Sequence, residues 1–399
     1  MAGTIVQGNV STEEVLPDER VIDMDDRIRK LRPDENQFTT MTDKTPSRQT
    51  TREKVNWLEE DDFPRIVTTS AAATSGAVTL VLTAGQGKIV AANDVIRNMR
   101  TGEAARVSSV ATDTLTIAPT IGRIPAAAVN SGDAYLVIGD AQPQGSDFPT
   151  PRYLARVLGY NYTEITRTTW SFTGTQTAIE MYGGREPAKE AVRKAREHKR
   201  KWEAIGFFGA RDFAAAVPPE NEPRGMAGGA VEFIVTNVFD ALDVAMTPTF
   251  FDKFLMTVMP YGDPESKVLF ASPTVVLSMS SWVRQGMGVQ WAPTPQTVFG
   301  VKVDGFISGA YGYKVPVIVK KEWAEFPVAN KGYGGYAFLL DMSLIEQRPL
   351  RDRDTKLLTE QQPKGKDVYS AEYFREATYE FAQEKAHGLI KGVTTTNLP

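Results

Sequence analysis

The stretch AVRKAREHKRKWEAIGFFG, residues 191–209, constrains this chain more than any other. Ala191, Ala195, His198, Trp202 and Ile205 recur at alternating spacings of four and three, so they share one narrow face of a helix. The rest of the cylinder carries Arg193, Lys194, Arg196, Lys199, Arg200 and Lys201. Gly183, Gly184 and Pro187 set its start, and it ends near Gly209. Such a helix either reads nucleic acid with its cations or packs by its seam and leaves a basic face outside.

Overall charge weighs on that choice. The chain has 399 residues and a net charge of −4, so the basic segment is local. A protein that coats phosphate is usually basic throughout. Aromatic stacking platforms, zinc ligands and a helix-turn-helix partner are missing from the pattern. Hydrophobic residues make up 42% and charged ones 24%, as in a folded chain of about two to three domains. There are no cysteines, which removes disulfides and thiolate chemistry. The two histidines, His198 and His387, are too few for a zinc site or a histidine relay, and His387 reads as a packed or capping residue. The N-terminus lacks the order of a signal peptide, and no apolar run nears the roughly 20 residues of a membrane span. A soluble, cytoplasmically made chain without a membrane partner is expected.

Along the chain, residues 1–47 read as an extended arm whose one helix-like piece carries Val21, Met24, Ile28 and Leu31 and stops at Pro33. With so little apolar surface, residues 20–45 should order on a partner, while the first fifteen read equally as a disordered tail. Residues 67–140 are rich in Ala, Val, Thr and Gly, and the runs AVTLVL, DVIRNM, AARVSSV, TLTIAP and AYLVIGD predict a compact antiparallel β module. Segments 48–66 and 152–172 flank it; YNYTEITRTTWSF alternates as a polar strand with two faces. The simplest geometry is a ribbon running out, the module inserted in it, and the ribbon returning. Residues 230–345 read as α/β. Thr247 and Ser272 cap helices that begin at Pro248 and Pro273, among the strand candidates KVLFA, VKV, VPVIVKK and YAFLLD. Near the end, Ala377, Tyr379 and Phe381 alternate with Glu376, Thr378 and Glu380, which predicts a half-buried strand.

Motifs of chemistry are weak. GQGKIV at 85–90 fails the phosphate-loop spacing and reads as a hairpin turn. Glu59, Glu60, Asp61 and Asp62 lack a spaced ligand pattern and read as a ribbon tip or a salt-bridge patch. Asp352 and Asp354 would share one side of an extended segment, but Arg351 and Arg353 alternate with them, which favours ion pairing across an interface. No catalytic site, cofactor or metal site is expected.

The order of parts then carries a resemblance. YNYTEITRTTWSFTGT, the following YGG and EHKRKWEAIGFFG, supported by VLFASPTVV, LRDRDTKLL and AHGLIKG, resemble the major capsid proteins of tailed phages with the Hong Kong 97-type fold. More narrowly, they resemble the head proteins grouped with enterobacterial phage SU-ten. The likeness covers nearly all of the chain outside 67–147. It implies an α+β fold: an arm at 1–47, an extended loop at 48–66 and 148–178, and a β insertion at 67–147. A peripheral domain at 179–234 would hold the spine helix, an axial domain would span 235–345, and 346–399 would return to the peripheral domain. It implies self-assembly into pentamers and hexamers of an icosahedral shell around double-stranded DNA, in the virion, after synthesis in a bacterial host. The short arm, with no large region to be cleaved, implies a separate scaffolding protein; a portal and a decoration protein would be further partners. In this picture Glu59–Asp62, Arg167 and Arg351–Asp354 meet neighbouring subunits, and the basic helix face looks toward packaged DNA or a neighbour's acids. The rivals are a non-specific DNA-binding protein using 191–209, a metal-dependent enzyme using Asp352 and Asp354, and another virion protein such as a fibre.

Overall fold

The computed structural model describes residues 36–118, 127–179, 186–214, 222–284, 290–291, 296–298, 301–307 and 314–396. The helix-like arm piece, Gly183 and Gly184 lie outside the described residues. The chain divides into two compact units: Leu58–Leu158, and Met1–Trp57 together with Gly159–Pro399. Lys54–Glu59 pairs with Val157–Tyr162 as a two-stranded ribbon at the junction.

All five runs named for the β module contain strands: Thr79–Val81, Asp94–Asn98, Ala104–Ala111, Thr114–Ile117 and Ala134–Asp140. The sequence reading missed a sixth, Ile66–Thr68, which has only one buried side chain, Val67, to betray it. They form one antiparallel sheet in the order 66–68, 134–140, 94–98, 104–111, 114–117, 79–81. Its two ends then meet. Thr69 bridges Leu82, Ser70 N–H donates to Val81 O (2.9 Å), and Thr83 N–H donates to Thr68 O (2.8 Å). The sheet closes into a small barrel, which removes its edges. Inside lie Val67, Leu80, Leu82, Ile96, Val107, Leu115, Ile117 and Tyr135. GQGKIV is not a hairpin but a short 3-10 turn, Gln86–Ile89, held by Asp113, which accepts from Gly85 N–H (3.0 Å) and Gly87 N–H (2.8 Å).

The larger unit is built on an eight-stranded mixed sheet in the order Val238–Val244, Gly388–Val393, Ala337–Asp341, Lys267–Ala271, Lys314–Val319, Val301–Ile307, Gln290–Trp291, with Gln296–Val298 beside Val301–Ile307. Lys267–Ala271 and Ala337–Asp341 are buried at every position, as central strands covered on both faces must be. Leu269, Ala271, Ala337 and Leu339 face helices Pro248–Val258 and Pro273–Arg284. The Thr247 hydroxyl caps the first by accepting from Phe250 N–H (3.3 Å), and the Ser272 hydroxyl caps the second by accepting from Val275 N–H (3.4 Å). Val268, Phe270, Phe338 and Leu340 face the other way, onto Trp202 and Phe207 of the long helix.

That helix runs Glu186–Phe208. It also packs against a second sheet, in which the long strand Val368–Phe381 pairs with Ile345–Pro349 and Lys356–Leu358 on one side and Glu164–Thr173 on the other. Glu164–Thr173 is therefore a sheet strand and not the returning ribbon; its register runs from Thr173 opposite Val368 to Glu164 opposite Ala377. Its inward side chains, Thr166, Thr168 and Trp170, leave room for the helix above them. The strand read as half-buried is buried on both faces from Arg375 to Phe381, because arginines cover its acids. The last strand, Gly388–Val393, sits inside the large sheet between Val238–Val244 and Ala337–Asp341, so the chain end does not return wholly to the helix-bearing part.

The arm's end closes this core. Gln37–Thr42 is a six-residue helix, and Phe38 is fully buried against Phe207, Phe270 and Tyr379 (4.8, 5.8 and 5.5 Å between ring centroids). Gly206, inside the long helix, exists for that ring: a Cβ there would stand 2.4 Å from Phe38 Cε1. Phe38→Ala is expected to cost about 3–5 kcal/mol in denaturant unfolding, and Gly206→Ala about 1–3 kcal/mol. The double variant should cost clearly less than the sum, because removing the ring removes the clash. Additivity would mean that the two sites do not touch.

Candidate functional site

The cations of the long helix are the first candidate. Lys194 pairs with Glu197 (2.7 Å) and Glu190 (4.0 Å), Arg193 with Glu190 (3.5 Å), and Lys199 with Asp43 (3.8 Å). Arg200 holds Glu322, and Lys201 reaches Glu197 (3.8 Å), Arg167 O (3.1 Å) and Thr168 Oγ1 (3.0 Å). Arg196 lies half-buried on the same helix. The basic face is thus answered by acids of its own chain. The seam is graded: Ala191, Ala195 and Ile205 are half-buried, whereas His198 and Trp202 are buried.

Beside Trp202 lies the residue that the seam pattern missed, Glu203. Its carboxylate is buried and accepts from Phe38 N–H (3.0 Å), Thr39 N–H (2.7 Å), Thr39 Oγ1 (2.5 Å) and the buried Lys320 Nζ (2.6 Å). Two exposed-end amides of the arm helix are satisfied in this way. Gln347 completes the cradle. Its Nε2 donates to Thr42 Oγ1 (2.6 Å) and Asp43 Oδ1 (2.9 Å), while its Oε1 accepts from Arg375, whose guanidinium lies 4.7 Å from the Trp202 ring centroid. The only sequence signal was position: Glu203 shares a helical face with Ala195, Lys199 and Gly206.

The residues assigned to subunit contacts fall into two sets. Arg167 pairs with Glu372 (2.7 Å), Arg353 with Glu376, Asp354 with Arg375 (3.2 Å), and Glu60 with Arg156 (2.9 Å), all within the chain. Glu59 is half-buried, and Asp61, Asp62, Arg351 and Asp352 are exposed. The segment 351–354 is a turn, with Asp352 at φ 61°, so its two aspartates do not line one side of an extended strand. The structure does not bring them together with other acids: among the described residues no group of three His, Cys, Asp or Glu could hold a metal ion. Among them, too, no helix is long and apolar enough to cross a membrane.

Both histidines are structural. His198 Nδ1 meets Thr168 Oγ1 (3.1 Å) between helix and sheet. His387 Nδ1 accepts from Asp341 N–H (3.1 Å), which leaves Nε2 to donate to Ala382 O (3.2 Å). Burial, helped at His198 by the positive Arg375 and Lys201, pushes both down to about 4. Nearby, the buried Lys267 donates to Ala386 O (2.6 Å) and to Val258 O (3.3 Å) at a helix end, and burial lowers it to about 8. Large apolar side chains are exposed on the Leu58–Leu158 unit, among them Leu58, Met99, Phe148, Tyr153, Val157 and Leu158.

An arm locked into the core by a buried ion pair, and basic side chains answered by acids of the same chain, are features of a structural protein. The chain matches the family described as SU10 major capsid protein over residues 3–394 and belongs to it. The resemblance drawn from the sequence therefore holds at the level of the family. It is 32% identical over 145 residues to the major capsid protein of Pseudomonas phage PaMx41, a match that spans 36% of this chain and 34%, about a third, of that protein. It also overlays on structures from Mycobacterium phage Adephagia (10% identity, 98% of this chain and 100% of that one, TM-score 0.47) and the capsid of Myoviridae phage XM1 (8% identity, 97% and 99%, TM-score 0.47).

Glu203→Ala should destabilise the protein by about 3–5 kcal/mol in denaturant melts, since it leaves Lys320 buried and unpaired. Glu203→Leu combined with Lys320→Met should recover part of this, but not all, because the Phe38 and Thr39 amides stay unsatisfied. Each histidine has a folded value below its ordinary 6.5, so its stabilising contribution is complete above that pH and is lost as pH falls toward 4. Acid unfolding of the protein should shift to lower pH in His198→Gln, measured by circular dichroism; an unchanged transition would remove His198 from the account.

Proposed function

We propose that this chain is the repeating subunit of a phage head shell, a structural protein that assembles with itself into pentamers and hexamers around double-stranded DNA. The observation that carries this is the family match across nearly the whole chain. The architecture supports the division into parts. The arm at 1–47 ends in a docked helix, and the ribbon of Lys54–Glu59 and Val157–Tyr162, the part of 48–66 and 148–178 that forms one, flanks the closed barrel of residues 66–140. The peripheral part at 179–234 carries the long helix, and the α/β layer at 235–345 takes a strand from the 346–399 return.

A shell subunit works through many modest contacts whose closure multiplies them. Exposed Asp61, Asp62, Arg351 and Asp352 are suited to the polar part of such contacts, and the apolar side chains around the ribbon to their cores. The basic helix face, already answered by Glu190, Glu197, Asp43 and Glu322, favours a supporting helix that lies near DNA over one that grips it. A separate scaffolding protein, a portal and a decoration protein are partners of this reading, and the virion capsid is its place.

Negative-stain microscopy of the protein, expressed alone and with a scaffolding protein, should show closed shells or rings of five and six. A dispersed monomer that binds DNA in a salt-sensitive way would instead support the DNA-binding alternative. Arg351→Glu should lower the shell yield while changing monomer stability by no more than about 0.5 kcal/mol.

A further inference from the structure

The Leu58–Leu158 unit carries a hole and a knob on one rim. The hole is a groove of about 490 Å³ whose apolar lining is Phe63, Ala91, Ala92, Pro149 and Pro151. Its charged and amide side chains already hold one another. Buried Asp94 accepts from Arg152 Nη1 (2.8 Å), Arg152 Nη2 (3.3 Å) and Ala91 N–H (2.7 Å). Gln142 accepts at Oε1 from Asn93 Nδ2 (3.0 Å) and donates from Nε2 to Asp140 Oδ2 (3.1 Å). What the groove can still gain from an occupant is apolar contact, so an aromatic side chain suits it better than a peptide backbone or a sugar.

Phe148 is the knob. It is 102% exposed, as fully in water as a side chain can be, although it stands at the edge of the groove. It is also held there. Phe148 and Thr150 each precede a proline, which keeps both extended. Arg152 fastens the end of the segment by donating to Ile89 O (2.6 Å) as well as to Asp94. A ring presented on a stiffened segment loses little freedom on docking. Charge marks the same two places: exposed Asp147 precedes the knob, and exposed Arg65 lies two residues beyond Phe63 of the hole.

We propose that two copies of this chain pair through this rim about a two-fold axis, with Phe148 of each seated in the groove of the other. A knob beside a hole on one surface is self-complementary. A half-turn brings both pairs together at once, and the contact closes after two copies. The same half-turn brings Asp147 of each copy toward Arg65 of the other. Each ring is then a buried aromatic anchor in its interface, and exposed Tyr153 and Leu154 follow it in the same segment. The pairing is a contact separate from rings of five and six, and it does not rest on the shell reading.

The chain has no cysteine, so single replacements report contacts cleanly. Full-length Phe148→Cys protein is mixed in dilute solution with full-length Ala92→Cys protein and mildly oxidised. Each mixed pair keeps one intact knob and one intact hole. Non-reducing denaturing electrophoresis should show a covalent dimer, and peptide mapping should place its bond between positions 148 and 92. A control mixture of Phe148→Cys with Met99→Cys should give far less, because exposed Met99 follows the far end of strand Asp94–Asn98, about 16 Å from Asp94. Sedimentation equilibrium of the unassembled, unsubstituted protein should show a dimer that Phe148→Ser weakens by about tenfold or more. Circular dichroism checks that each variant folds. No bond between 148 and 92, equal bridging to position 99, or no self-association that depends on Phe148 would overturn the pairing. Shells that form without the 148–92 bond would refute the pairing and leave the shell reading standing; the bond without shells would do the reverse.

Discussion

The larger unit depends on one buried carboxylate. Glu203 is almost fully out of water, and a carboxylate in that position is tolerated only when it is paired and hydrogen-bonded. Its partners come from two places far apart in sequence: Lys320, beyond the sheet strand 314–319, and the first amides of the arm helix. Each partner needs the others. Without the arm, the charge pair faces vacant hydrogen-bond positions; without Glu203, the arm helix begins with unsatisfied amides and Lys320 is stranded. Once the arm is held, Phe38 fills the space that Gly206 leaves open, and the aromatic cluster of Phe207, Phe270 and Tyr379 is complete.

The same rule organises the second sheet. Strand Val368–Phe381 carries acids on a face that is nonetheless buried, so each needs a cation. Arg348 serves Glu380, Arg353 serves Glu376 and Arg167 serves Glu372. Arg375 instead joins Asp354 and Gln347, and so connects this sheet to the arm cradle. Pairs of this kind add little net stability compared with apolar packing, yet breaking one is costly, so they select one arrangement of segments. Among the described residues, these ion pairs of the second sheet are all made within the subunit. Arg351, Asp352, Asp61 and Asp62 are exposed, as are the apolar side chains Leu58, Val157 and Leu158 of the ribbon. That balance suits a subunit of a capsid family.

Local rules were readable in the sequence because they are satisfied within a few residues. The helix at 186–208 follows from its 3.6-residue period, the helices after Thr247 and Ser272 from capping hydroxyls and an N-terminal proline, and the barrel strands from alternation between turn residues. The order of these parts was also enough to point to the capsid family. Tertiary structure alone decided the rest. Alternation along Glu164–Thr173 says that it is a strand but not which strand it joins, because pairing is chosen by residues two hundred positions away. A period of two predicts one wet face for Glu376–Phe381, and only the arrival of Arg348 and Arg353 makes both faces dry. The acids and bases placed between subunits on charge alone include several that the fold pairs internally, since opposite charges carry no address in sequence. Glu203 looked like one more charge on a charged helix; burial, set by the packing of arm, helix and sheet, is what made it the anchor.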